Sequence, residues 1–236
     1  MVMLGSAPTS GPLAHRLAGT ARPVLIQLPR PDSAVDDGRD ARGSVAERIE
    51  LSGRVLMTWA AKMAALVETE ELVGESITVD APTHWLSLAV ALGAGFGGAV
   101  VQTPHTDDDD AALALADAPA GVVTADPRAE LPPRSLGLIL ALPRGLEAVL
   151  EHPEGVAADR VDLMEALLAE PDQLQGPAVA LTGSVWSSPG TTAAVRETVQ
   201  GCTLVPGPLT GERLSAALRA WERGGVVTIA QGPSCS

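Results

Sequence analysis

One short stretch of small polar residues, residues 187–192, could bind an anion. Its members of interest are Ser187, Ser188, Gly190, Thr191 and Thr192. Backbone N–H groups at the start of a helix bind phosphate readily, because they have no partner within the helix. The stretch therefore indicates a site for a phosphate-bearing ligand such as ATP or AMP. The alternative is that it only starts a helix over residues 188–199, with Ser188 as the cap.

A second motif, over residues 93–98, matches the glycine spacing G-x-G-x-x-G of a dinucleotide-binding loop. That loop needs a strand before it and a helix after it, so that the helix N-terminus is directed at the phosphates. Here an apolar helix is predicted before the glycines and a strand after them. We therefore predict a helix end, where glycine is common, and no cofactor site.

The acidic residues and histidines do not predict a metal site or a hydrolase. The acidic clusters are Asp36, Asp37 and Asp40, and residues 107–110. The first lies in a predicted loop, and the second suits the dipole at a helix start. The histidines are His15, His84, His105 and His152, and no G-x-S-x-G nucleophile motif accompanies them. We expect His84 at the surface or as a helix cap.

Lysine chemistry is restricted to one residue, because Lys62 is the only lysine of the chain. It lies on a predicted helix, away from an apolar stripe at helical spacing. The stripe consists of Val55, Leu56, Trp59, Met63, Leu66 and Val67. Lys62 is therefore expected in solvent, and no lysine is present for chemistry later in the chain.

The composition limits the classes of partner. The net charge is −13, from 16 basic and 29 acidic residues, whereas nucleic acid or an anionic membrane needs a basic face. Neither is expected as a partner. Cys202 and Cys235 form no disulfide framework, the first residues lack the pattern of a secretory signal, and no apolar run reaches the roughly 18 residues that span a membrane. These features predict a cytoplasmic protein with reduced thiols.

Residues 47–126 organise the predicted fold, since strands and helices alternate along them. Strands are predicted at residues 47–51, 76–80, 99–103 and 121–124, with helices at residues 52–68, 83–96 and 107–117 between them. Such alternation is typical of an α/β fold, a mostly parallel sheet with helices on both faces. We predict one α/β domain over residues 24–231 with a weak linker region at 127–135, after an N-terminal arm with a short helix at residues 1–23, and before a tail at residues 232–236.

Residues 80–101, with the sequence DAPTHWLSLAVALGAGFGGAVV, resemble the early part of the adenylate-forming (AMP-binding) superfamily. This family includes acyl-CoA synthetases, luciferases and the adenylation domains of peptide synthetases. Residues 50–67, 107–126 and 209–229 are similar to further elements of its N-terminal portion. The chain looks most like short, uncharacterised bacterial proteins that match only this front portion, which implies a truncated form of the family fold.

The reactive motifs of that family are not matched. Its phosphate loop ends in Pro-Lys-Gly, whereas residues 187–192 are followed by AAVR. The chain has no tyrosine for the family's nucleotide motif and no lysine for its C-terminal catalytic position. The resemblance favours a register in which the phosphate loop is deleted and residues 188–199 form the helix that follows it.

Two hypotheses follow from these observations. The first is a pseudoenzyme without a cofactor, a truncated relative that acts as a binding or interaction protein. It predicts an unidentified protein partner or a homodimer, because a shortened fold must cover surface that its parent buries. The second is a residual nucleotide- or acyl-binding enzyme that uses residues 187–192.

Overall fold

The computed structural model describes residues 4–5, 12–29, 48–103, 118–143, 157, 159–176, 182–183 and 195–230. The helix predicted at residues 107–117 lies outside these ranges, and so do Asp36, Asp37, Asp40, His105, His152 and Cys235, together with residues 1–3 and the tail at 232–236.

The helices of the described part are α1 Pro12–Ala18, α2 Gly53–Thr69, α3 Trp85–Phe96, α4 Leu163–Ala169 and α5 Gly211–Glu222. Polar side chains cap the starts of α2 and α4: Ser52 Oγ accepts a hydrogen bond from the Val55 N–H at 3.3 Å, and Asp162 Oδ1 accepts one from the Met164 N–H at 2.9 Å. Thr210 caps α5 in the same way. Such caps satisfy N–H groups that have no partner within the helix. The helix predicted at residues 52–68 is confirmed as α2, within one residue at each end.

The strands form two five-stranded sheets and one small pair. They are β1 Leu4–Gly5, β2 Pro23–Gln27, β3 Ile49–Ser52, β4 Ser76–Asp80, β5 Val100–Gln102, β6 Gly121–Thr124, β7 Leu136–Ile139, β8 Arg160–Asp162, β9 Thr182–Gly183, β10 Val195–Thr198, β11 Gly201–Leu204 and β12 Val226–Ile229. The first sheet has the order β5-β4-β6-β7-β8, and all of its pairs are parallel. The second has the order β10-β11-β12-β2-β3, parallel in its centre and antiparallel at both edges. The predicted α/β fold with a mostly parallel sheet is confirmed.

The strand predicted at residues 47–51 exists, but it does not belong to the parallel run that follows it. It is β3, and it pairs antiparallel with β2 at the edge of the second sheet. Its alternating burial, with Ile49 and Leu51 inside and Glu50 outside, suits a strand with one covered face. Local pattern predicts such a strand but does not tell which sheet it joins.

The glycines of residues 93–98 pack α3 against α2. Every residue of α3 is buried, and a Cβ placed on Gly93 would lie 2.3 Å from the Ala60 carbonyl oxygen of α2. A Cβ on Gly97 would lie 2.8 Å from the Ala64 carbonyl oxygen. Gly93 and Gly97 are four residues apart, so they lie near the same face of the helical segment, and their lack of side chains allows the close approach. The prediction that this motif is a helix end before a strand is confirmed.

Candidate functional site

The anion site predicted from the sequence lies outside the described residues. This applies to all five of its members, which are Ser187, Ser188, Gly190, Thr191 and Thr192. Their interpretation as a phosphate-binding turn therefore stays a prediction.

The helix predicted over residues 188–199 is wrong at its described end. Residues 195–198 form β10, which pairs antiparallel with β11. The β-branched Val195 and Thr198 favour a strand, and the Glu197 carboxylate is held by Arg219 and Arg223, which lie at the end of α5. The alignment with the family that requires a helix over residues 188–199, after a deleted phosphate loop, is therefore wrong as well.

Lys62 is not in solvent, so that prediction is also wrong. Its side chain is 10% exposed, and its Nζ donates to the Glu170 carbonyl oxygen at 2.6 Å. The same Nζ lies 2.7 Å from Asp172 Oδ1. Lys62 thus ties α2 to the chain that leaves α4. The apolar stripe predicts correctly that Leu56 and Met63 are buried. The apolar stem of Lys62 is buried too, although Lys62 lies outside the stripe.

The carboxyl ends of the two sheets meet at a junction made by residues 81–84 and 207–209. The Thr83 N–H donates to the Gly207 carbonyl oxygen at 2.6 Å, and the Leu209 N–H donates to the Ala81 carbonyl oxygen at 2.8 Å. Arg213 Nη1 donates to the Pro208 carbonyl oxygen at 2.7 Å. In α/β proteins the carboxyl ends of parallel strands are the usual place for ligands, so this junction is the described region to test for a site.

Side chains already occupy the N-terminus of α3, which begins at this junction. Gln27 Oε1 accepts from the Trp85 N–H at 2.9 Å, and His84 Nδ1 accepts from the Leu86 N–H at 3.2 Å. Because His84 Nδ1 is an acceptor, its proton is on Nε2, which donates to the Pro143 carbonyl oxygen at 3.1 Å. The capping role predicted for His84 is confirmed, although its side chain is buried. With these two N–H groups occupied, the start of α3 is a poor anion site.

Gln27 and Arg213 were not predicted from the sequence as members of this junction. Arg213 is 1% exposed despite its charge. Gln27 ends an otherwise apolar strand, VLIQ, and a polar side chain at the carboxyl end of a buried strand is the signal that could have found it. Its partner is 58 positions away along the chain, so the contact itself has no local signature.

The polar face of the first sheet near its carboxyl edge consists of Thr78, Asp80, Gln102 and Thr124. These residues share one face because neighbours in register point to the same side. Burial raises the pKa of the Asp80 carboxyl above its usual value, since the charged form is desolvated. Within the described ranges, no group of three or more His, Cys, Asp or Glu side chains could hold a metal ion.

Cys202 is not a reactive nucleophile in this fold. It is buried and free of any disulfide, and burial with the nearby Glu197 charge raises the pKa of its thiol to about 12. The thiol therefore stays protonated near neutral pH, whereas a nucleophilic cysteine needs its thiolate. The adjacent Glu197 has its pKa lowered, chiefly by its hydrogen bond with Arg219.

The helices of the described residues are too short or too polar to cross a membrane.

Comparison with solved structures identifies the fold. The N-terminal subdomain of Klebsiella oxytoca NpsA matches with a TM-score of 0.58 and 11% identity, over 99% of this chain and 57% of that one. The inhibitor-bound N-terminal domain of FACL13 from Mycobacterium tuberculosis matches with a TM-score of 0.57 and 14% identity, over 96% of this chain and 58% of that one. A fatty acyl CoA synthetase of Mycobacterium tuberculosis matches with a TM-score of 0.56 and 12% identity, over 94% of this chain and 44% of that one.

These matches show that the fold is that of the N-terminal subdomain of adenylate-forming enzymes. The chain spans about half the length of the solved chains that it matches. No protein-family model and no curated protein matches the sequence.

Proposed function

We propose that this protein is a non-catalytic relative of the adenylate-forming enzymes, a cytoplasmic pseudoenzyme that acts as a binding or interaction protein. The observation that supports this proposal is the engagement of Lys62. The only lysine of the chain is buried against α4 and bonded to the Glu170 carbonyl oxygen and the Asp172 carboxylate. It is therefore not free to contact a nucleotide.

The chemistry of adenylation explains why this matters. Transfer of an adenylyl group develops negative charge on a phosphate, and cations, N–H donors and a metal stabilise that charge in the enzymes that catalyse such steps. Lys62, which joins two helices, is not available to supply that positive charge. A shared fold does not carry the activity with it.

The proposal predicts that the protein does not catalyse adenylation. We expect no exchange of radiolabelled pyrophosphate into ATP, with Mg²⁺ present, for any of a panel of fatty, aromatic and amino acids. An active acyl-CoA synthetase in the same assay is the positive control. Exchange that requires both the chain and one particular acid would overturn the proposal.

A second candidate function is residual nucleotide or acyl binding at residues 187–192, favoured by their Ser-Ser-Pro-Gly-Thr-Thr composition. It predicts that ATP, AMP or CoA at ~100 times its Kd adds ~2.7 kcal/mol of stability, a rise in Tm of roughly 5–10 °C for a chain of this size. The double substitution Thr191→Ala and Thr192→Ala should abolish the shift, while Thr69→Ala, at the exposed end of α2, should retain it. An equal shift in all three proteins would exclude this site.

The proposed interaction role also predicts self-association. We propose a homodimer, because a second copy of the same chain is the commonest partner that shields apolar surface in soluble oligomers. Sedimentation velocity over a series of protein concentrations measures it. A monomer at every concentration would contradict this part of the proposal and leave a different protein as the partner.

A further inference from the structure

We draw no further inference here: the strongest candidate, the polar face of the first sheet formed by Thr78, Asp80, Gln102 and Thr124 at its carboxyl edge, carries nothing because the described part of the chain does not show what covers it.

Discussion

Replacing Gly93 by alanine is expected to destabilise the protein by about 3 kcal/mol, at the upper end of the usual cost of overpacking a core. The new methyl group would lie 2.3 Å from the Ala60 carbonyl oxygen and 2.7 Å from Met63 Cβ. The first neighbour is backbone, so α2 and α3 must move apart to make room. For a chain of this size the expected fall in Tm is roughly 6–12 °C, which differential scanning calorimetry measures directly.

Gly121→Ala is the matched control for this prediction. Gly121 is also a buried glycine, but a Cβ there would meet its nearest neighbours, Ile77 Cγ1 and Leu72 Cδ1, at 3.5 and 3.6 Å, which is ordinary contact. We expect this variant to stay within about 1 kcal/mol of the parent, as space-compatible substitutions do. If Gly93→Ala proved as stable as Gly121→Ala, the glycine spacing would need an explanation other than helix packing.

Much of the fold could be predicted because its signals are local. Ser52 and Thr210 cap helices directly before amphipathic runs, and these are patterns that span a few residues. The almost wholly apolar run of α3 predicts a helix buried on more than one side, and in the structure all of its residues are buried. Strand β4 was equally clear from its β-branched alternation. In each case the sequence around the element contains the physical cause of its structure.

The remaining features depend on contacts that are distant along the sequence. Strand β3 was predicted, but its antiparallel pairing with β2 is a tertiary choice. The helix-start signal of Ser188 and Pro189 predicts a helix through β10. In the structure this segment pairs with β11 instead, and Glu197 forms ion pairs with Arg219 and Arg223. Strand β8 has only three residues, too few for a periodic signal.

The candidate site was the least predictable part of the molecule. The sequence directed attention to residues 187–192, whereas the described junction depends on Gln27 and Arg213, which come from other segments. The Lys62 contact joins residues 108 positions apart. Such convergence is a property of the assembled fold, so motif spacing alone could not reveal it.

Replacing Lys62 by methionine is expected to destabilise the protein. This substitution tests the contacts of Lys62 on which the proposed function depends. Methionine keeps the length of the stem but removes the donor, so the Glu170 carbonyl oxygen loses its partner. The expected loss of unfolding free energy is about 1–3 kcal/mol, the contribution of a partly buried hydrogen bond with a charged donor. Urea denaturation of the parent and the variant measures the difference.

Asp172→Asn separates the two contacts of this lysine. The Asp172 side chain is 69% exposed, so its ion pair with Lys62 is screened by solvent and should contribute less than about 1 kcal/mol. We therefore expect the unfolding free energy of Asp172→Asn to remain close to that of the parent, while that of Lys62→Met does not.

Both variants should also match the parent in the nucleotide thermal-shift assay. If Lys62→Met kept full stability but lost a nucleotide-dependent shift, the lysine would be a ligand-binding group, and the argument against catalysis would lose its support.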